Sequence, residues 1–192
     1  MITKEFVERL SKLEKICDQF HLSLQSGSDT VLKRMNRRYI AGEFAKSVEY
    51  IRKYFPNANL TTDIIVGFPG ETDKEFFETY EFVKKINFFK LHVFKYSPKK
   101  GTKAAIMPNQ IAINIKEERS RALIKLSEEM QKDVIKTYIG KSVKVLFEET
   151  KAGYTKGHTT NYMLIKVPKD ISLENIIKEI VIKNKDMIEI QK

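Results

Sequence analysis

The 192-residue chain has one cysteine, Cys17, and three scattered histidines, His21, His92 and His158. A single cysteine excludes an internal disulfide, and so few thiols and imidazoles exclude a Cys/His-rich structural zinc site. No run comes near the roughly 20 uncharged apolar residues of a membrane-spanning helix. The opening Met1-Ile2-Thr3-Lys4-Glu5 places an acid where a signal peptide has its apolar core. Without a disulfide framework, the sequence suits a reducing cytoplasm and no membrane partner. Neither Gly-x-x-x-x-Gly-Lys-Ser/Thr nor Gly-x-Gly-x-x-Gly occurs, so phosphate-loop and dinucleotide-binding folds have no support.

Hydrophobic residues make up 42% and charged residues 31%, which excludes a disordered or fibrous chain and suits one domain or two small ones. The net charge is +10, and it is unevenly placed. Between Lys84 and Lys125 there are eleven Lys or Arg against two acids, nearly the whole excess. A basic block of this kind points to a polyanion, most often nucleic acid; a solvated Lys-rich surface is the plainer reading.

Three regions separate by pattern. Over 1–115, short apolar runs alternate with amphipathic helical stretches. Residues 5–17 read as a helix with Phe6, Leu10, Leu13 and Ile16 on one face and Cys17 as a small core residue. Strands are expected at 20–24, 60–66 and 88–96, and helices at 30–35, 42–54 and 72–86. Ile64-Ile65-Val66 is continuously apolar, as in a parallel strand covered on both faces, and Thr72 with Glu75 has capping-box spacing. Alternating strands and helices predict an α/β fold with a parallel sheet or part of a (β/α) barrel. Residues 116–139 read as one connecting helix, stopped by Gly140. Over 140–192 the period shortens: Val143, Val145 and Phe147 alternate, as do Met163, Ile165 and Val167, which predicts a small closed all-β barrel.

Each strand of the first region ends in polar or glycine-rich residues. Leu24 runs into Gln25-Ser26-Gly27-Ser28, Val66 into Gly67-Phe68-Pro69-Gly70, and Tyr96 into Ser97-Pro98-Lys99-Lys100-Gly101. In a βα barrel the loops after the strands build the active face, although any strand-to-helix turn also uses Gly and Pro. Asp63 sits inside an apolar strand and needs a partner: a ribose diol on the functional reading, a neighbouring Arg or Lys on the structural one. Arg37 or Arg38 offers a fork suited to a carboxylate, or both are solvated.

Four ordered strings carry a resemblance. His21-Leu-Ser-Leu-Gln-Ser-Gly-Ser-Asp29, Leu32-Lys-Arg-Met-Asn-Arg-Arg-Tyr39, Thr62-Asp-Ile-Ile-Val-Gly-Phe-Pro-Gly-Glu-Thr72 and Phe94-Lys-Tyr-Ser-Pro-Lys-Lys-Gly-Thr102 resemble the radical S-adenosylmethionine (radical SAM) methylthiotransferases. The resemblance covers essentially the whole chain. It implies the C-terminal half of a radical SAM barrel followed by a TRAM RNA-binding barrel of OB-like form. Gly157-His-Thr-Thr-Asn-Tyr162 and Leu91-His-Val-Phe94 look most like the branch that adds a methylthio group to N6-threonylcarbamoyladenosine in tRNA. Sister branches act on isopentenyladenosine in tRNA or on a ribosomal-protein aspartate, and a non-catalytic RNA-binding module is the alternative from another class.

The resemblance further implies that Gln25, Arg37 and Asp63 contact S-adenosylmethionine, with Gly67 and Gly70 admitting the adenine or the substrate edge. It implies a tRNA anticodon stem-loop as partner, met by the basic block, with Lys99, Lys100 and Lys103, and by Tyr154, Lys156, His158 and Tyr162; Tyr162 reads equally as barrel core. Two departures stand out: Ser23 where the family usually has Pro, and Lys99 where it usually has Arg. The family holds two four-iron four-sulfur clusters on cysteines that these residues do not include. The expectation is therefore a fragment that binds no cluster, has no catalytic residue of its own, and works with a missing N-terminal half of the same enzyme.

Overall fold

The computed structural model describes residues 2–190. Helix α1 (Lys4–Leu10) is followed by strand β1 (Gln19–His21), α2 (Asp29–Arg34), α3 (Ala41–Tyr54), β2 (Asn59–Val66), α4 (Asp73–Ile86) and β3 (Lys90–Lys95). The three strands form a parallel sheet in the order β1-β2-β3, with Phe20 opposite Leu60 and Asp63 opposite His92. The alternating pattern therefore gives the α/β architecture it implies.

Parallel pairing divides each strand between two faces. Leu24, Leu60, Ile64 and Val66 are fully buried in one core with Val48, Ile51 and Val83 of the helices and Phe88 of the turn after α4. The opposite face carries Gln19, His21, Thr61, Asp63, Lys90 and His92, and Asp63 and Ile65 are only half-buried there. The apolar run in β2 is thus covered on one face, and the other face is open and polar.

Helix α1 is shorter than its sequence pattern. It starts at the Thr3 cap, ends at Ser11, and buries Val7, while Phe6 and Leu13 stay more than half exposed. The chain turns at Lys12 and Leu13, so Cys17 lies exposed in the approach to β1 and is not a core residue. Helix α4 starts as read: Thr72 Oγ1 accepts from the Glu75 amide and Glu75 accepts from the Thr72 amide.

Glu75 also receives two bonds from Arg34, at 2.8 and 2.9 Å, and one from the Thr30 hydroxyl. The Arg34 fork is the largest cause that lowers its carboxyl to about 2, against the opposing effect of burial. A carboxyl depressed on folding stabilises above its ordinary value and loses that contribution as pH falls towards the folded value. We expect about 1–2 kcal/mol to disappear between about pH 4.5 and pH 2, less than the whole shift because Arg34 is partly solvated. Urea unfolding across that range should show the loss in the wild type and a flatter profile in Glu75→Gln.

Helix α5 (Ile113–Lys136) joins the two halves. Its Leu123, Leu126 and Met130 enter the core under the parallel sheet, and Ile135 enters a second core with Val145, Phe147, Met163, Ile165 and Ile182. Phe88 and Phe89, adjacent in sequence, serve one core each.

The second core is covered by an antiparallel sheet of β4 (Ser142–Lys151), β5 (Tyr154–Thr159), β6 (Leu164–Pro168), β7 (Ile177–Val181) and β8 (Ile188–Glu189), in the order β7-β4-β5-β6-β8. Gly157 is needed where β5 crosses β4, because a Cβ there would lie 2.0 Å from the Leu146 carbonyl oxygen. The closed barrel expected from the sequence is replaced by an open sheet among the described residues. Strands β7 and β8 end the ladder without pairing, and β8 is only two residues long. Asn161 locks this sheet under the first half: its side-chain amide donates to Asn57 O and the Tyr138 hydroxyl, and its main-chain carbonyl accepts from the Asn59 side chain.

Candidate functional site at the strand tips

Gln25 takes a left-handed backbone (φ 70°) directly beyond β1. Its amide donates to Asp63 O at 2.8 Å and its carbonyl accepts from the Ile65 amide at 2.9 Å. These bonds fix Gln25, buried, against the outer half of β2. The hydroxyls that follow it are occupied elsewhere: Ser26 bonds Thr79 of α4 at 3.0 Å, and Ser28 donates to Glu78 at 2.6 Å. They anchor the loop and are not presented to a ligand.

The turn after α2 reverses at Asn36 (φ 58°) and carries Arg37, Arg38 and Tyr39 to the tip of β1. The Tyr39 hydroxyl donates to the carbonyls of Ser23 and Leu24, at 3.0 and 2.9 Å. Burial raises the Tyr39 phenol, and the charge of Arg37 beside it works the other way. Arg37 is exposed and forms no ion pair among the described residues. It lines a shallow cavity with Asp29, Lys33 and Arg38, and Gln25 is not among the residues around it.

Asp63 meets neither Arg nor Lys. Its Oδ2 lies 3.1 Å from His21 Nε2 and accepts from Ser23 Oγ at 3.0 Å. His21 Nδ1 lies 2.9 Å from Thr61 Oγ1, and the rings of His21 and His92 face one another at 5.8 Å. Burial lowers the His92 imidazole, helped by Lys90 and opposed by Asp63. These imidazoles were missed in the sequence, although the signal was there: Gln19, His21 and Ser23 alternate, as do Thr61 with Asp63 and Lys90 with His92.

The loop after β2 is held from beneath by α5. Glu71 Oε2 accepts from the amides of Gly67 and Phe68, at 2.8 and 3.3 Å. Its Oε1 pairs with Arg119 at 3.0 Å, and both side chains are about 95% buried. Burial pushes the Glu71 carboxyl up, against Arg119 and the two amides. Gly67 (φ 71°) has no room for a side chain, since a Cβ would lie 2.3 Å from Lys116 Cγ. Lys116 runs past it to donate to Tyr96 O at 2.9 Å. The nearest neighbour of Gly67 is therefore the stem of Lys116. Gly70 donates to Asn109 O, and its own carbonyl receives Arg34.

The basic block is not one surface. Lys116 and Arg119 are buried, and Lys95 pairs with Glu117 at 3.4 Å. Lys99, Lys100 and Lys103 are exposed beyond β3, at the same end of the sheet as Gln25 and Gly67. Lys156 and His158 lie on β5 of the antiparallel sheet, and Tyr162 lies in the turn after it, lining a cavity with His21, Thr61 and His92. Lys156 pairs with Glu189 at 2.8 Å, and the His158 and Tyr162 rings stack at 4.4 Å and 20°. Tyr162 is 55% exposed, so it is not core.

Among the described residues no group of three or more His, Cys, Asp or Glu is placed to hold a metal ion, and a cysteine-ligated cluster cannot be assembled from Cys17 alone. The side-chain chemistry matches a nucleoside carrying an amino-acid chain: Asp63 has one oxygen without a donor among the described residues, and Arg37 is exposed with no ion pair among them. Among the described residues no helix is long and apolar enough to cross a membrane.

The sequence profile of the radical SAM superfamily matches residues 1–83. Threonylcarbamoyladenosine tRNA methylthiotransferase MtaB of Bacillus subtilis (strain 168) is 43% identical over 169 residues, covering 85% of this chain and 38% of the relative. The tRNA-2-methylthio-N(6)-dimethylallyladenosine synthase of Pelotomaculum thermopropionicum is 39% identical over 170 residues, covering 87% and 38%. The chain thus spans about two fifths of the length of the curated relatives it matches. Among solved structures, coproporphyrinogen III oxidase (HemN) from Escherichia coli, a radical SAM enzyme, superposes with a TM-score of 0.56 at 14% identity, over 94% of this chain and 49% of that one. That likeness concerns the fold alone.

Proposed function

Because the chain belongs to the radical SAM methylthiotransferase family, we propose that it forms the S-adenosylmethionine-contacting and tRNA-binding part of a tRNA methylthiotransferase. Identity of about 40% to two tRNA methylthiotransferases, over more than four fifths of the chain, carries this reading. The substrate we propose is N6-threonylcarbamoyladenosine beside the anticodon. The segment Gly157-His-Thr-Thr-Asn-Tyr162 supports that branch, and it also supplies the stacked His158–Tyr162 pair and the Asn161 lock.

Each candidate site residue then has a defined task. Asp63 accepts from ribose hydroxyls, Arg37 clamps the methionine carboxylate, and Gln25 bridges the two strand tips. The Gly67–Gly70 loop borders the adenine and keeps its shape through Glu71 and Arg119. A methyl group for sulfur and one-electron activation of an adenine C–H come from S-adenosylmethionine and iron–sulfur clusters when these are bound, the clusters on thiolates outside this chain. Barrel residues position the ligand and exclude water.

For RNA, Lys99, Lys100 and Lys103 supply phosphate contacts, and the exposed Tyr162 face supplies a stacking platform for an unpaired base. The two contributions separate experimentally. In filter binding to the anticodon stem-loop, Tyr162→Ala should weaken affinity about tenfold without changing the salt slope. Lys99→Ala should lower that slope by about one. A common change in both would remove the division of labour.

Nucleoside mass spectrometry on tRNA from a strain lacking the gene tests the function. Loss of 2-methylthio-N6-threonylcarbamoyladenosine, with its unthiolated precursor accumulating, is expected. Loss of methylthio-isopentenyladenosine would move the assignment to the sister branch. Unchanged tRNA would leave the ribosomal-protein branch or a non-catalytic RNA binder.

A further inference from the structure

The open face of the parallel sheet carries a hydrogen-bonded chain of side chains that crosses from β1 to β2 and back. Gln19 Nε2 donates to Thr61 Oγ1 at 3.2 Å. Thr61 Oγ1 lies 2.9 Å from His21 Nδ1. His21 Nε2 lies 3.1 Å from Asp63 Oδ2 and 3.3 Å from Ser23 Oγ. Ser23 Oγ donates to the same carboxylate oxygen at 3.0 Å.

Donor and acceptor chemistry gives this chain a direction. An ionised carboxylate only accepts, so the His21 nitrogen facing it carries a proton. When the ring holds that one proton alone, its Nδ1 accepts from the Thr61 hydroxyl. Thr61 in turn uses its lone pair for the Gln19 amide, and each member gives to the next. Asp63 Oδ2 ends the chain with two donors, while Oδ1 meets no donor among the described residues. Rotation of the carboxylate would break both bonds, so Oδ1 is held at one angle on the open face.

We propose that His21 is a positioning residue: through the Gln19–Thr61–His21 chain it fixes the Asp63 carboxylate so that one oxygen is presented to a ligand hydroxyl. The arrangement follows the logic by which a second partner sets the tautomer and angle of a working group. The ligand class, a ribose diol, rests on the reading of Asp63 under Proposed function; the direction of the chain does not.

The two parts can be tested separately on the chain itself. Three histidines make 15N imidazole spectra simple to assign by single substitutions. His21 should be the Nε2–H tautomer. His158, whose Nδ1 faces Glu148 Oε2 at 2.5 Å, should be the opposite tautomer and serves as the internal control. An Nδ1–H tautomer at His21 overturns the positioning role.

The second readout is S-adenosylhomocysteine, titrated while the Asp63 side-chain carbon is followed by NMR. His21→Phe removes the donor and should weaken binding about tenfold or more, as expected for a hydrogen bond to a charged group. His21→Gln offers an amide donor to Asp63 and should stay within about threefold of the wild type. His21 is 41% exposed at its side chain, so neither variant empties the core. Equal losses in both variants overturn the positioning role. An Nε2–H tautomer with no response of Asp63 to the nucleoside overturns the ribose reading and leaves the chain's direction standing.

Discussion

Arg119→Leu is expected to cost the chain about 3–5 kcal/mol of folding stability, a large share of the roughly 5–15 kcal/mol typical of a folded domain. Its guanidinium, on α5, is buried between Glu71 at 3.0 Å and Asp73 at 2.6 Å, over the Phe76 ring. Removing it strands the Glu71 carboxylate in a site 4% exposed, where only the Gly67 and Phe68 amides remain to offset desolvation. The Gly67 and Phe68 amides depend on the same carboxylate, so the loop after β2 loosens with it. Urea unfolding measures the loss. A second substitution, Glu71→Leu, should recover part of it, because the pair is worth less than the penalty for breaking it. A loss below about 1 kcal/mol in the single variant would mean that water reaches the pair and that the loop is held by something else.

Asp63→Ala should act on the ligand and not on the fold. The side chain is 28% exposed and its partners, His21 and Ser23, lie on the open face, so unfolding should change by less than about 1 kcal/mol. Removing the acceptor leaves a ribose diol without its partner and leaves Ser23 and His21 pointing donors at the gap. We expect S-adenosylhomocysteine binding, followed by calorimetry, to fall by about tenfold to a hundredfold. Affinity for the anticodon stem-loop should stay within about twofold, because Lys99, Lys100, Lys103 and Tyr162 do not touch Asp63. Parallel loss of both would make Asp63 a folding residue.

Local signals were legible where the physics is local. The Thr72 cap with Glu75, the polar loops after three strands and the change of period after Gly140 can be read from neighbours in the chain. So can the alternation that places Val145 and Phe147 in the second core. Cys17 was misread because a 3.6-residue pattern over 5–17 does not show where the helix stops, and Ser11 ends it after seven residues. The basic block overstated the surface charge because burial of Lys116 and Arg119 depends on Tyr96 and Glu71, 20 and 48 residues away. The Asp63–His21 contact spans 42 residues and needs the β1–β2 register before it can be drawn. Strand alternation predicted the antiparallel sheet, but closure depends on β7 and β8 meeting, which no pattern within either strand specifies.

The most direct test of the account is complementation of the gene-deleted strain with a coding sequence that supplies this chain together with the cluster-binding half of the enzyme, either intact or carrying Asp63→Ala, read by nucleoside mass spectrometry of total tRNA. The account predicts that the intact gene restores 2-methylthio-N6-threonylcarbamoyladenosine. Asp63→Ala should leave the unthiolated precursor in its place, with the protein present at normal level and still retaining tRNA. Restoration of the methylthio nucleoside by Asp63→Ala, or no precursor in the deletion strain, would contradict it.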